Sequence, residues 1–215
     1  MYKIEIYRDK NGKSEIANYL ELLKNRKDKN NKAKREKILA YMRLLQEKGL
    51  SLGEPHIKHL DNEIWELRPL RDRILFASFN NNKFILLNIF MKQTRKTPHR
   101  EIEKAKRLLK DYEKRSAIKM SKFQTWDEFE KELNITPEEE AEIQFEMALI
   151  RAEIEARKSQ NMTQEELSKK SGINQPSIAR IENRTHSPTA STLIRLLYPL
   201  GYTLAVVPIK KIKKQ

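Results

Sequence analysis

Arg68, Arg71, Arg73, Lys92, Arg95 and Lys96 all fall at or just beyond the ends of apolar runs in the stretch Ile64 to Pro98, which reads IWELRPLRDRILFASFNNNKFILLNIFMKQTRKTP. Brought to one open edge of a sheet, such a cluster repels itself unless an anion sits in it. Arg68 and Arg73 suit phosphate, because a guanidinium engages two oxygens at once and stays charged. Glu66 shares a strand face with Arg68, so it is either their ion-pair partner or a proton acceptor. A lysine with an ordinary pKa of about 10.4 is protonated at neutral pH, so Lys92 or Lys96 serves readily as an acid. Neighbouring positive charge would lower either value and make a base, and the residues alone leave that choice open.

The elements that must hold these groups follow from periodicity. Ile74 to Phe79 and Phe84 to Phe90 are β-forming runs separated by the turn-forming Asn80, Asn81 and Asn82, which predicts a hairpin. Ile64 to Arg68 predicts a shorter strand with Glu66 and Arg68 on one face and Trp65 and Leu67 on the other. Upstream, Tyr2 to Tyr7 alternates like a strand, Asn11-Gly12 marks a turn and Ser14 is placed to cap a helix. Ile16, Tyr19, Leu20 and Leu23, then Ile38, Tyr41, Met42 and Leu45, repeat a helical spacing that predicts a helical hairpin packed on the sheet. Ser51 to Asn62, with Pro55, reads as a loop; its His56 and His59 are reserve candidates for proton transfer, although such histidines are more often structural. Thr97 and Pro98 read as the N-cap and first turn of a further helix that buries Ile102, Ala105, Leu109 and Tyr112. The element order is β-α-α-β-β-β-α.

This stretch resembles the RelE/HigB-type toxins of bacterial toxin–antitoxin modules, through WELR at 65–68, RDRILF at 71–76, and LLNIFMKQTRKTP at 86–98 followed by a helix beginning EIEKA. Gln93 stands where many relatives carry a second lysine. The resemblance spans about half the chain and implies an α+β domain over 1–115, with a helical hairpin and a C-terminal helix on a small, mainly antiparallel sheet. It also implies a metal-independent RNA endonuclease acting on mRNA held on the ribosome, with no cofactor. Cleavage through the 2′-OH needs that hydroxyl deprotonated, the phosphorane charge stabilised and the 5′-oxygen protonated, and fixed cations can supply the second task. The expected catalytic set is Arg68, Arg71, Arg73, Lys92, Lys96 and Glu66. No GxxxxGK loop, HExxH pair or clustered metal ligands appear, so nucleotide hydrolysis and metal dependence have no support.

Charge divides the chain unevenly. Of a formal net charge of +14, residues 1–115 hold 29 Lys and Arg against 16 Asp and Glu, whereas the remainder holds 15 against 14. The front half is therefore the polyanion binder. Residues 127–155 reverse the sign, with eleven acids against Lys131 and Arg151. They form either a solvated acidic helix or a surface facing the basic domain.

Residues 116–122 read as a linker or fusion junction, since MSKFQTWDEF from Met120 looks like the beginning of a separate protein, joined naturally or by engineering. An all-α domain is expected over 123–215, with a helix-turn-helix at 162–200. Thr163 caps one helix, Gly172 permits the tight turn, Asn174 caps the next, and Ile178 and Ile181 face inward. This segment resembles the Xre/HigA family through TQEELSKKSG, QPSIARIEN and SPTASTLIRLLYPLG. Gln175, Ser177 and Arg180 lie on the exposed side of the recognition helix, and Gln164, Asn183 and Arg184 are better placed for phosphates. Tyr202 to Ile209 is expected to be a strand that pairs with a symmetry mate, giving a homodimer on operator DNA.

Zero cysteines, the absence of a long apolar stretch and an N-terminus, MYKIEIYRDK, without a signal-peptide core predict a cytoplasmic protein without membrane contact. The expectation is a toxin joined to its antitoxin, the two in contact in cis or in trans, with the antitoxin also repressing transcription. A non-enzymatic nucleic-acid-binding regulator and a ribosome-independent RNase are the alternatives.

Overall fold

The apolar runs pair into one sheet in the computed structural model, which describes residues 1–26, 28–79, 82–94, 96–117, 123–160, 162–182 and 188–205, with backbone alone at 153, 154, 156–160, 179 and 182. Its strands are β1 (Lys3–Ile6), β2 (Ile57–Asp61), β3 (Ile64–Leu67), β4 (Asp72–Phe79), β5 (Lys83–Met91) and β6 (Gln124–Thr125), in the order β2-β3-β4-β5-β1-β6. Neighbours are antiparallel except β1 and β5, which run parallel. The helices are α1 (Glu15–Asn25), α2 (Lys29–Lys48), α3 (His99–Ala117), α4 (Trp126–Glu132), α5 (Pro137–Gln160), α6 (Gln164–Ser171), α7 (Gln175–Glu182) and α8 (Ala190–Leu197). The α+β first half followed by helices is the fold class expected. Two compact units divide inside α5, Met1–Ile150 and Arg151–Gln215. No helix among the described residues is long and apolar enough to cross a membrane.

Period two assigns the two faces of the sheet. Ile64, Leu75, Ala77 and Ile85 bury one face against Ala105, Leu109 and Tyr112 of α3. In phase with them, by register and alternation, stand Glu66, Arg68, Arg73 and Lys92. Asp72 belongs to the other phase, where its carboxylate accepts from Tyr19 of α1 at 2.7 Å and pairs with Lys34 of α2 at 3.1 Å. Ser14 and Asp28 accept backbone N–H bonds as the caps of α1 and α2. Asn80 and Asn81 of the expected turn lie outside the described residues, but the register of β4 with β5 closes the hairpin across them.

Three local expectations need correction. Residues 51–62 are not all loop: Ile57–Asp61 pair with β3, because buried Ile57 anchors the strand and Asn62 at φ 43° makes the return. Thr97 is not the cap of α3, which begins at His99; the Pro98 carbonyl accepts from Glu101 N at 3.0 Å, and the Thr97 hydroxyl goes elsewhere. Tyr202–Ala205 carry no strand, and 206–209 lie outside the described residues, as do 118–122 of the expected junction.

The acidic segment up to Ile150 packs on the basic first half. β6 pairs with β1, Trp126 and Phe129 are buried, and Ile143, Met147 and Ile150 recur at buried helical spacing. Around them Arg43 bridges Glu130 at 2.6 Å and Glu140 at 2.8 Å, Lys37 pairs with Glu146 at 3.1 Å, and Arg35 pairs with Glu139.

Glu36 of α2 is buried beside this contact. Burial, and then the charges of Glu142 and Glu139, push its carboxyl up to about 7 against the opposing pull of Lys32 and Arg35. The packed state keeps a proton that separated helices would release near 4.5, so the contact is firmest below that value and weakens as pH rises to about 7. Urea unfolding of the first unit should lose on the order of 1–3 kcal/mol over that window. Glu36→Gln should flatten the slope, and an unchanged slope in that variant would remove Glu36 as its source.

Candidate nucleic-acid sites

Burial and pairing organise the basic cluster of the first unit. Glu66 of β3 is 0% exposed, and its Oε1 lies 3.3 Å from Arg68 Nε and 3.2 Å from Arg73 Nε. These contacts are ionic rather than aligned hydrogen bonds. Oε2 accepts from the Thr97 hydroxyl. One carboxylate thus stands between two guanidinium groups that would otherwise repel. Arg73 Nη1 also donates to the carbonyls of Leu70 at 2.9 Å and Asp72 at 2.6 Å, which fixes its plane. Arg68 Nη1 reaches the Pro55 carbonyl at 3.3 Å.

Lys92 adjoins this group. Burial, and then the positive charges of Arg73, Arg68 and Lys58, lower its pKa from the ordinary lysine value, while Glu66 opposes them. Burial likewise lowers that of Arg73, with Glu66 opposing. Lys58 is the cross-strand partner of Glu66, so β2 adds a cation that reading 51–62 as loop missed. Thr97 was missed as well, because its position suited a cap. A helical sequence that could begin at 99 was the available signal.

Not all of the expected set converges. Arg71 and Lys96 are exposed, whereas Arg68 and Arg73 are the ion-pair partners of Glu66 among the described residues. Arg95 lies outside the described residues. His56 is buried against Tyr41, with Nδ1 and the phenol oxygen 3.1 Å apart, and His59 is exposed against the Trp65 ring. Among the described residues no three His, Asp or Glu side chains gather as metal ligands do.

In the second unit, local chemistry builds the expected turn. Thr163 and Glu166 form a reciprocal capping box, Gly172 ends α6 at φ 66°, and Asn174 accepts from Ser177 N at 2.9 Å. A Cβ on Gly172 would lie 3.0 Å from an Arg195 nitrogen, which donates to the Gly172 carbonyl at 2.9 Å. Leu167, Ile173, Ile178, Leu196 and Leu200 close a core beneath α7. Gln175 and Arg180 are exposed, Ser177 and Gln164 are half-buried, and Asn183 and Arg184 lie outside the described residues. A groove of about 500 Å³ runs between α7 and α8, lined by Ser177, Arg180, Thr189, Thr192 and Arg195 among others. Thr189 is the N-cap of α8, Thr192 lies in its first turn and Arg195 in its last, and none of the three was among the expected site residues.

A family model described as phage-derived protein Gp49-like matches residues 26–110, and a helix-turn-helix model matches residues 154–207. The chain belongs to the helix-turn-helix family, and its residues 26–110 carry a Gp49-like domain. An uncharacterized HTH-type transcriptional regulator of Haemophilus influenzae is 41% identical over 85 residues, which are 40% of this chain and 86% of that protein. A solved structure described as a toxin–antitoxin module from Streptococcus pneumoniae is 37% identical and covers 40% of this chain and 94% of its own, at a TM-score of 0.36. The Gp49-like match contains the Glu66 group whole, and the helix-turn-helix match contains α6, α7 and α8.

Proposed function

We propose that the chain is a toxin–antitoxin module in one polypeptide. Residues 1–115 form a metal-independent RNA endonuclease acting on ribosome-held mRNA, 116–122 form the junction, and 123–215 form an antitoxin that neutralises it and represses transcription. The observation that carries the reading is the Glu66 group, two preorganised guanidinium groups beside an amine of lowered pKa. Arg68 and Arg73 are suited to phosphorane charge, and Lys92, easier to deprotonate than an ordinary lysine, to proton transfer at the reacting oxygens. Glu66 has one oxygen facing both arginines and the other on Thr97, which suits an organiser of the cations better than a free base. Exposed Arg71 and Lys96 are left to bind the RNA backbone.

Expression of residues 1–115 alone, with mapping of RNA ends, tests this reading. Growth arrest with cleaved transcripts is expected. Arrest without new ends would favour a non-enzymatic nucleic-acid binder, and cleavage of free RNA without ribosomes the ribosome-independent alternative.

For the antitoxin, the two-fold footprint of a dimer is expected on operator DNA, with Gln175 reading a base and Gln164, Asn183 and Arg184 holding phosphates. Gln175→Ala should cost about 1–3 kcal/mol on operator and little on random DNA. Equal losses on both would sink its role as a base reader.

A further inference from the structure

The connection between β5 and α3 is tied to the arginine pair at one side chain. Its first residue, Lys92, donates its backbone N–H to the Arg71 carbonyl at 2.8 Å. In between, the Thr94 hydroxyl donates to the Lys96 carbonyl at 2.7 Å. Near its far end the Thr97 hydroxyl, unused as a cap, donates to Glu66 Oε2 across 31 positions of sequence. Glu66 Oε1 in turn faces Arg68 and Arg73.

We propose that Thr97 is a positioning residue, which orients the Glu66 carboxylate between the two arginines and anchors the Lys92–Pro98 connection beside them. The assignment deepens, and for its meaning in RNA cleavage rests on, the reading of the Glu66 group as the active site. Its physical basis is independent of that reading. A fully buried carboxylate deprived of one donor has an unsatisfied oxygen and a free torsion, so both the guanidinium geometry and the connection lose their reference point. Lys92 reports the change, because the groups that set its protonation are Glu66, Arg68, Arg73 and Lys58 together with its burial.

The test uses the full-length chain and two substitutions. Thr97→Val keeps the shape and removes the hydroxyl, whereas Thr97→Ser keeps the hydroxyl. Amide hydrogen exchange at Lys92, whose N–H donates to the Arg71 carbonyl, and the Lys92 side-chain titration, followed by NMR of labelled lysine, are read in each. In Thr97→Val, exchange should quicken about tenfold or more at that amide while β4 and β5 keep their protection, and the Lys92 pKa should move away from its wild-type value. Thr97→Ser should match wild type in both.

A Thr97→Val chain that matches wild type in both would overturn the proposal, as would loss of protection throughout the sheet, which marks a general structural role. RNA ends mapped after expression of residues 1–115 separate the two readings. Altered exchange and titration in the full-length variants, with no cleavage by residues 1–115, removes the RNase reading and leaves Thr97 in its place.

Discussion

Arg73→Lys should lower RNA cleavage by the basic domain about a hundredfold or more, the usual effect of losing one preorganised stabiliser of developing charge. The charge survives in this variant, but the fork does not. Arg73 offers Nε toward Glu66 at 3.2 Å while Nη1 holds two carbonyls, and one ammonium cannot span that geometry. One of those carbonyls belongs to Leu70, a non-glycine residue at φ 54°, so Arg73 also holds the turn into β4. Arg73→Ala is therefore expected to cost stability as well, on the order of 3–5 kcal/mol, because it strips a buried pair of one partner. Cleavage rates and urea midpoints measured together separate the two effects. Wild-type cleavage by a folded Arg73→Lys domain would remove Arg73 from the chemistry.

Trp126→Ala is expected to destabilise the first unit by about 3–5 kcal/mol, as large-to-small changes at fully buried aromatic sites do. Trp126 is 0% exposed and lies 6.0 Å from the Phe129 ring, centroid to centroid. Phe123 precedes it, 4.3 Å from the Tyr112 ring and beneath the Arg115 guanidinium, so three aromatic residues fasten the segment after the junction. The ion pairs around them should matter less singly. Glu140→Gln removes one charge from a partly exposed site that Arg43 shares with Glu130, and a change of about 1 kcal/mol is expected. Both variants are compared by urea unfolding of the full chain at low and high salt. A smaller loss for Trp126→Ala than for Glu140→Gln would mean that charge, not apolar burial, holds the acidic segment.

Opposite charge identified the right neighbours only in outline. Among the glutamates at the start of α5, Glu139 and Glu140 meet Arg35 and Arg43, while Glu138 and Glu142 are exposed. Glu130 and Glu146 make contacts that were not singled out. Helical phase decides this: Ile143, Met147 and Ile150 turn one stripe inward, and only acids bordering it reach α2. Composition counts charges around the whole helix and is blind to that phase.

The sequence by itself determined the elements whose causes are local. Caps at Ser14, Thr163 and Asn174, the left-handed turn at Gly172 and the buried helical stripes each depend on residues within a few positions of one another. Alternation also placed Glu66 and Arg68 on one face of β3 before any partner strand was known. Only the tertiary structure decided what stands against that face. Lys58 joins Glu66 through the pairing of β2 with β3, and Thr97 reaches it from the connection after β5, while Arg71 and Lys96, equally basic and nearby in sequence, remain outside the group. The physical reason is that strand register and the path of a connection are set by non-local pairing and burial, and a one-residue change in either would exchange the side chains brought to Glu66.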